Sequence, residues 1–151
     1  MFKSFVFLFA WIALSTHVSA ESEFPSREVI DSTFNRMHRF AGVGDYESWV
    51  EFLAEDATFT NSALPEPIVG RAEILEAARM WPQIENVIEW KVIDGGRMVI
   101  AWRERQKLEN GKMSGWYRGF SSFVFNDKAE VREYEGMFNL LSIQAALERS
   151  E

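Results

Sequence analysis

The sequence predicts an α+β domain in which helices come first and an antiparallel sheet follows. Two observations carry this. Up to Pro82 the apolar residues recur at helical spacing, and beyond it the period shortens to two. Three turn signals, Gly95-Gly96, Asn110-Gly111 and Asn126-Asp127, then divide the second half into four strands joined by short connections. Helices followed by hairpins form the segregated α+β pattern, with helices laid on one face of a curled sheet.

The first twenty residues stand apart from that domain. Met1-Phe2-Lys3 puts one positive charge ahead of an apolar run over residues 4–14, and the segment closes on Val18-Ser19-Ala20. That order is the one a cleavable signal peptide takes, with processing after Ala20. The run is too short to cross about 30 Å of hydrocarbon, which needs roughly twenty apolar residues. The expected organisation is therefore a signal peptide at 1–20 and one domain at 21–151, exported to the periplasm or secreted, without stable membrane insertion after cleavage. An uncleaved membrane anchor is the alternative.

Within the domain, Ser26 precedes Val29, Ile30, Phe34, Met37 and Ala41, a helix with one buried face that Gly42-Val43-Gly44 stops. Asp45 caps a shorter helix with Trp49, Phe52 and Leu53 inward, and residues 57–61 alternate like a strand. Pro65-Glu66-Pro67 breaks the chain. Ile74, Leu75 and Ala78 mark a third helix, which Trp81-Pro82 ends. Strands are expected over 87–93, 98–108, 113–125 and 131–140, followed by a tail helix carrying Ile143, Ala146 and Leu147.

Composition narrows the chemistry. The chain carries a formal net charge of −7, and removal of residues 1–20 takes away only Lys3, so the domain is more acidic still. A phosphate backbone would be repelled, and no basic stripe offsets this, so no nucleic-acid partner is expected. There is no cysteine, and the core must hold by packing, for which the nine Phe and five Trp after residue 20 provide material. His38 is the one histidine of the domain, and it reads as a partly buried helix residue. No glycine-rich phosphate loop or dinucleotide fingerprint occurs, so no cofactor is expected. Glu130, Glu133 and Glu135 are spaced as a strand, and no metal site is expected.

Three stretches carry a resemblance. They are Val43-Gly44-Asp45-Tyr46, Phe52-Leu53-Ala54-Glu55-Asp56-Ala57-Thr58-Phe59 and Val69-Gly70-Arg71-Ala72-Glu73-Ile74. In this order they resemble the SnoaL-like branch of the nuclear transport factor 2-like superfamily. The resemblance implies a cystatin-like cone, a strongly bent and mostly antiparallel sheet closed by three helices around a pocket. Two enzyme families on that scaffold are more distantly similar. Where ketosteroid isomerases carry their base Asp this chain has Asn61, and their oxyanion-hole Tyr and Asp fall near Met37 and Ser121. Neither an amide nor a thioether can move the protons that chemistry requires. Phe59-Thr60-Asn61 with the proline-rich loop resembles the limonene epoxide hydrolases, but their Arg and two Asp map to Glu104, Gln106 and Gly136. Neither catalytic set is retained.

One strand then proposes its own acid. Over residues 98–108 one face carries Met98, Ile100, Trp102, Glu104 and Gln106, and the other carries Val99, Ala101, Arg103 and Arg105. Burying two guanidinium groups costs more than burying one carboxyl, because arginine stays charged whereas glutamate can take up a proton. Trp102 and Glu104 are therefore expected to face inward, with Glu104 as the candidate catalytic residue. Phe59, Asn61, Trp81, Trp102 and Tyr134 are the candidate ligand-binding residues. Three functions stay open: binding of a small, largely apolar molecule in the cone; isomerisation, dehydration or hydrolysis by a lone buried carboxylate; and self-association with a cone filled by its own side chains. The resemblance, together with aromatic residues on both alternating sets of the 113–125 strand, also points to a homodimer through the exposed sheet face.

Overall fold

A computed structural model describes residues 24–149; the expected signal peptide lies outside the described residues. Helix α1 (Arg27–Gly42) starts where Ser26 Oγ accepts from the Val29 N–H, and it buries Ile30, Phe34 and Met37. Val29, expected on the inner face, is 47% exposed, because it lies a quarter-turn from the Ile30–Phe34–Met37 stripe. Asp45 caps α2 (Tyr46–Val50) by accepting from the Ser48 N–H at 3.0 Å, and the Ser48 side chain, with that backbone bond adding, holds its carboxyl below the usual range. Leu53, expected in this helix, instead opens strand β1 (Leu53–Asn61), which starts earlier than its clean alternation suggested.

A two-residue strand β2 (Ile68–Val69) and helix α3 (Arg71–Ala78) follow. The Arg71 guanidinium donates to the Leu53 carbonyl and lies 3.6 Å from Glu51 and 3.9 Å from Glu130. The Gly70-Arg71 motif is thus a scaffold device that ties α3 to the start of β1 and to the last turn of the sheet. Strands β3 (Ile84–Asp94), β4 (Arg97–Gln106), β5 (Tyr117–Phe125) and β6 (Val131–Phe138) form the expected antiparallel meander, and α4 (Leu140–Leu147) ends the chain. The curved sheet has the order β2-β1-β6-β5-β4-β3, with β1 joined parallel to β6. That pairing brings together segments some seventy residues apart and has no local sequence signal.

The strand expected over 113–125 begins only at Tyr117. Residues before it form a loop in which buried Ser114 accepts from the Gln106 N–H and donates to the Gly115 carbonyl. Gly115 N–H in turn donates to the Ala146 carbonyl at 2.9 Å, docking α4 against the sheet. The Gly115 N–H is thereby spent on the tail helix instead of on a ladder bond.

The core lies between the concave sheet face and the helices, around Ile30, Phe34, Leu53, Ile74, Met98 and Phe125. On the convex face, register aligns Trp90, Ala101, Phe120 and Met137 in one row across four strands. Trp90, Phe120 and Met137 are each between 39% and 48% exposed, and the two rings stand 5.9 Å apart.

Gly119 lies directly opposite Trp102 on β5, and a Cβ there would come within 2.4 Å of the indole and 2.6 Å of the Met137 carbonyl oxygen. The carbonyl belongs to the sheet ladder and cannot yield. Gly119→Ala is therefore expected to lower the unfolding free energy by about 1–3 kcal/mol, read from the urea midpoint. An unchanged midpoint would mean that the indole has room to move.

Candidate functional site

The helices do not fill the concave side of the sheet. They leave a cavity of about 370 Å³. Gly42, Ala63, Pro82 and Leu140 line it and are themselves exposed, so it reaches solvent between the connections that carry them. All six residues singled out from sequence line this one cavity: Phe59 and Asn61 from β1, Trp81 after α3, Trp102 and Glu104 from β4, and Tyr134 from β6. Met37, Gln106, Ser121 and Gly136, the positions where the two enzyme families carry other residues, line it as well.

Its apolar wall is an aromatic cluster. Trp81 stands 5.6 Å from Tyr46, 5.6 Å from Trp49 and 5.2 Å from Phe59, and Phe59 meets the Tyr134 ring edge-to-face at 4.9 Å. Such geometry adds to the burial of the rings and fixes their orientation.

The polar wall is built on Glu104. Strand alternation turns it inward with Trp102, while Arg103 and Arg105 lie on the opposite face and stack on the Trp116 ring at 4.8 and 4.7 Å. The Tyr117 hydroxyl donates to Glu104 Oε1 at 2.6 Å, and Asn86 Nδ2 donates to Oε2 at 2.9 Å. Asn86 Oδ1 lies 3.1 Å from His38 Nε2. Because the Asn86 amide must turn its NH₂ to the carboxylate, its oxygen faces His38, and Nε2 is the protonated ring nitrogen of that bond. The result is a chain of hydrogen bonds from α1 through β3 and β4 to β5. A second, shorter chain runs from Trp102 Nε1 to buried Ser121 Oγ at 2.9 Å. Asn61 Oδ1 accepts from the Ala63 N–H at 2.8 Å, which leaves its NH₂ as the group offered to the cavity.

Sequence reading missed the partners of Glu104. Asn86 is a lone polar residue in phase with Ile84 and Ile88, and that inward phase was the available signal. His38 is half-buried, as expected, and stacks on Phe34, but it is also tied to the acid through Asn86. Trp90 and Trp116, rings that could have lined the cavity, lie on the outer face.

The protein's charge is felt across the site. Burial pushes the Tyr117 hydroxyl far up, with the Glu104 charge and the bond to it adding. Burial pushes Tyr134 up to about 12; the Ser121 hydroxyl works against this and Glu104 adds to it. Tyr46 is raised for the first two reasons, burial and then Glu104. The cavity thus holds protonated phenols around an acid.

The bent α+β sheet with a lined hollow on its concave side is the nuclear transport factor 2-like class of domain. Residues 34–134 match the model of the SnoaL-like domain, and the chain belongs to that family. An LEH-like epoxide hydrolase of M. tuberculosis superposes with a TM-score of 0.71 at 12% identity, over 82% of this chain and 92% of that one. SalBIII, an epoxide hydrolase/cyclase-like enzyme of pyran ring formation in salinomycin, gives 0.68 at 14% identity, over 76% and 94%. A protein described as a SnoaL-like polyketide cyclase, from Jannaschia sp. CCS1, gives 0.68 at 17% identity, over 82% and 95%. These likenesses show a shared fold. A search of curated protein sequences gives no match.

The chain's three tyrosines are those named above, and all three are raised. Their neutral form is favoured in the folded state, so the stability they contribute is full below the ordinary tyrosine value of about 10 and is lost as pH rises above it. Absorbance at 295 nm is expected to show no tyrosinate step near pH 10, with ionisation coming higher and together with unfolding. A one-tyrosine step at pH 10 in the folded protein would contradict this.

Proposed function

We propose that this chain is an exported domain that binds a small, largely apolar molecule in its cone, with Glu104 as the polar anchor. One observation carries the reading: a cavity of about 370 Å³, within the usual size range of small-molecule sites, joins an aromatic wall to a single carboxylate gripped by two neutral donors. A cone filled by its own side chains would leave no such space. Epoxide hydrolase and cyclase chemistry in fold relatives supports a second reading, general acid–base catalysis by Glu104 on the bound molecule. What favours it here is the clamp itself, since Tyr117 and Asn86 fix the carboxylate's direction as a base requires.

Native mass spectrometry of protein purified from its own host tests both. The expected result is a chain beginning at Glu21 that carries a small organic adduct. Transfer into D₂O then separates the readings: deuterium entering a carbon position of the adduct, and not doing so with Glu104→Gln, marks a base. A chain that carries no adduct and shows no tryptophan emission change with host extract would count against the binding site.

We also propose that the convex face pairs two copies. Its central row is apolar and exposed at Trp90, Phe120 and Met137. A two-fold axis running across the strands lets the two apolar rows meet. Sedimentation is expected to show a dimer that Phe120→Glu converts to monomer. A wild-type monomer at high micromolar concentration would remove the proposal.

A further inference from the structure

The cavity's charge is uncompensated, and that points to the kind of molecule it takes. Among the described residues no lysine or arginine lines it. Glu104 has no ion pair among the described residues; both of its partners, the Tyr117 hydroxyl and the Asn86 amide, are neutral. The nearby cations are engaged elsewhere. Lys91 pairs with Asp31 and Asn35 of α1, Arg105 pairs with Glu85, and Arg118 pairs with Glu89. His38 reaches the acid only through Asn86, donating from Nε2.

Resting on the reading of the cavity as a binding site, we propose that its ligand is a small apolar amine, bound as the ammonium with the charge at Glu104 and the body against the aromatic wall. A neutral molecule entering this space would strip water from the carboxylate and return no charge, which is a costly exchange in an apolar surrounding. An anion would be repelled outright. An ammonium restores the lost interaction through a charge-assisted bond to the carboxylate, each of whose oxygens accepts one bond within the protein and has a further lone pair. The rings of Trp81, Phe59 and Tyr134 add to this, since aromatic faces carry the negative part of the ring quadrupole and attract cations. At −7 for the whole chain, the protein's field also favours the approach of a cation.

Isothermal titration at pH 7 with 2-phenylethylamine, 2-phenylethanol and phenylacetate tests this on the purified protein. The amine is expected to bind roughly tenfold or more tighter than the alcohol, the margin a hydrogen bond to a charged group typically supplies. Phenylacetate is expected not to bind. In Glu104→Gln the amine's advantage disappears while the alcohol still binds. If wild type binds the alcohol as well as the amine, or if the advantage survives in Glu104→Gln, the amine proposal fails and the binding site stands. If none of the three binds, both fail. The wild-type ranking needs no variant and decides the matter even if Glu104→Gln does not fold.

Discussion

Arginine cannot shed its charge, and that constraint sets the direction in which β4 faces. Arg97, Arg103 and Arg105 fall on one parity of the strand, so that side must meet water, and Met98, Ile100, Trp102, Glu104 and Gln106 must turn to the helices. Everything in the site follows from this. Trp102 closes over Gly119, Glu104 meets Tyr117 directly across the ladder, and the arginines remain outside, stacked on Trp116. Shifting the strand by one residue would bury two guanidiniums in a cavity that supplies one acid.

The same logic fails one strand away, and the reason is local. Asn86 and Ile88 face Glu104 and Trp102 across the β3–β4 ladder, so simple alternation would bring Trp90 inward too. Register instead slips between Ile88 and Trp90, because Glu89 is an extra residue without a partner. A bulge of this kind reverses the faces beyond it, so Trp90 joins Phe120 outside while Lys91 turns toward Phe34 and Asp31 on α1. Nothing in the composition of 87–93 marks the slip. It becomes visible only when β4, whose direction the arginines fix, is laid beside it.

Much of the fold could be read from sequence because its signals are short-range: caps at Ser26 and Asp45, the change of period at Pro82, and glycine and asparagine turns between strands. The candidate site was legible to the extent that parity governs it, which is why Glu104, Trp102, Phe59, Asn61, Trp81 and Tyr134 converge on one cavity. Its hydrogen bonds were not legible. The bonds of Glu104 to Asn86 and Tyr117 cross between strands eighteen and thirteen residues apart, and their existence depends on a register that the Glu89 bulge and the Ser114 loop jointly adjust. The resemblance to epoxide hydrolases located the cavity-facing positions while the residues there differ, so family membership conveys where chemistry could occur and not which chemistry it is.

Direction within the polar network descends from one group. An ionised Glu104 accepts only, so Asn86 must present its NH₂ and Tyr117 its hydroxyl proton; the Asn86 oxygen is then left for His38, whose Nε2 carries the proton. Each partner is consequently used in a way that satisfies the carboxylate without neutralising it. A network built only for stability would more naturally have placed a cation there, or an apolar residue, since a half-buried acid held by neutral donors keeps part of its desolvation cost. The cations on adjacent strands are paired elsewhere: Arg105 with Glu85, Arg118 with Glu89, and Lys91 with Asp31 on α1. Glu104 thus sits in an aromatic hollow with both oxygens oriented by neutral donors, and this is the geometry on which the proposed binding reading rests.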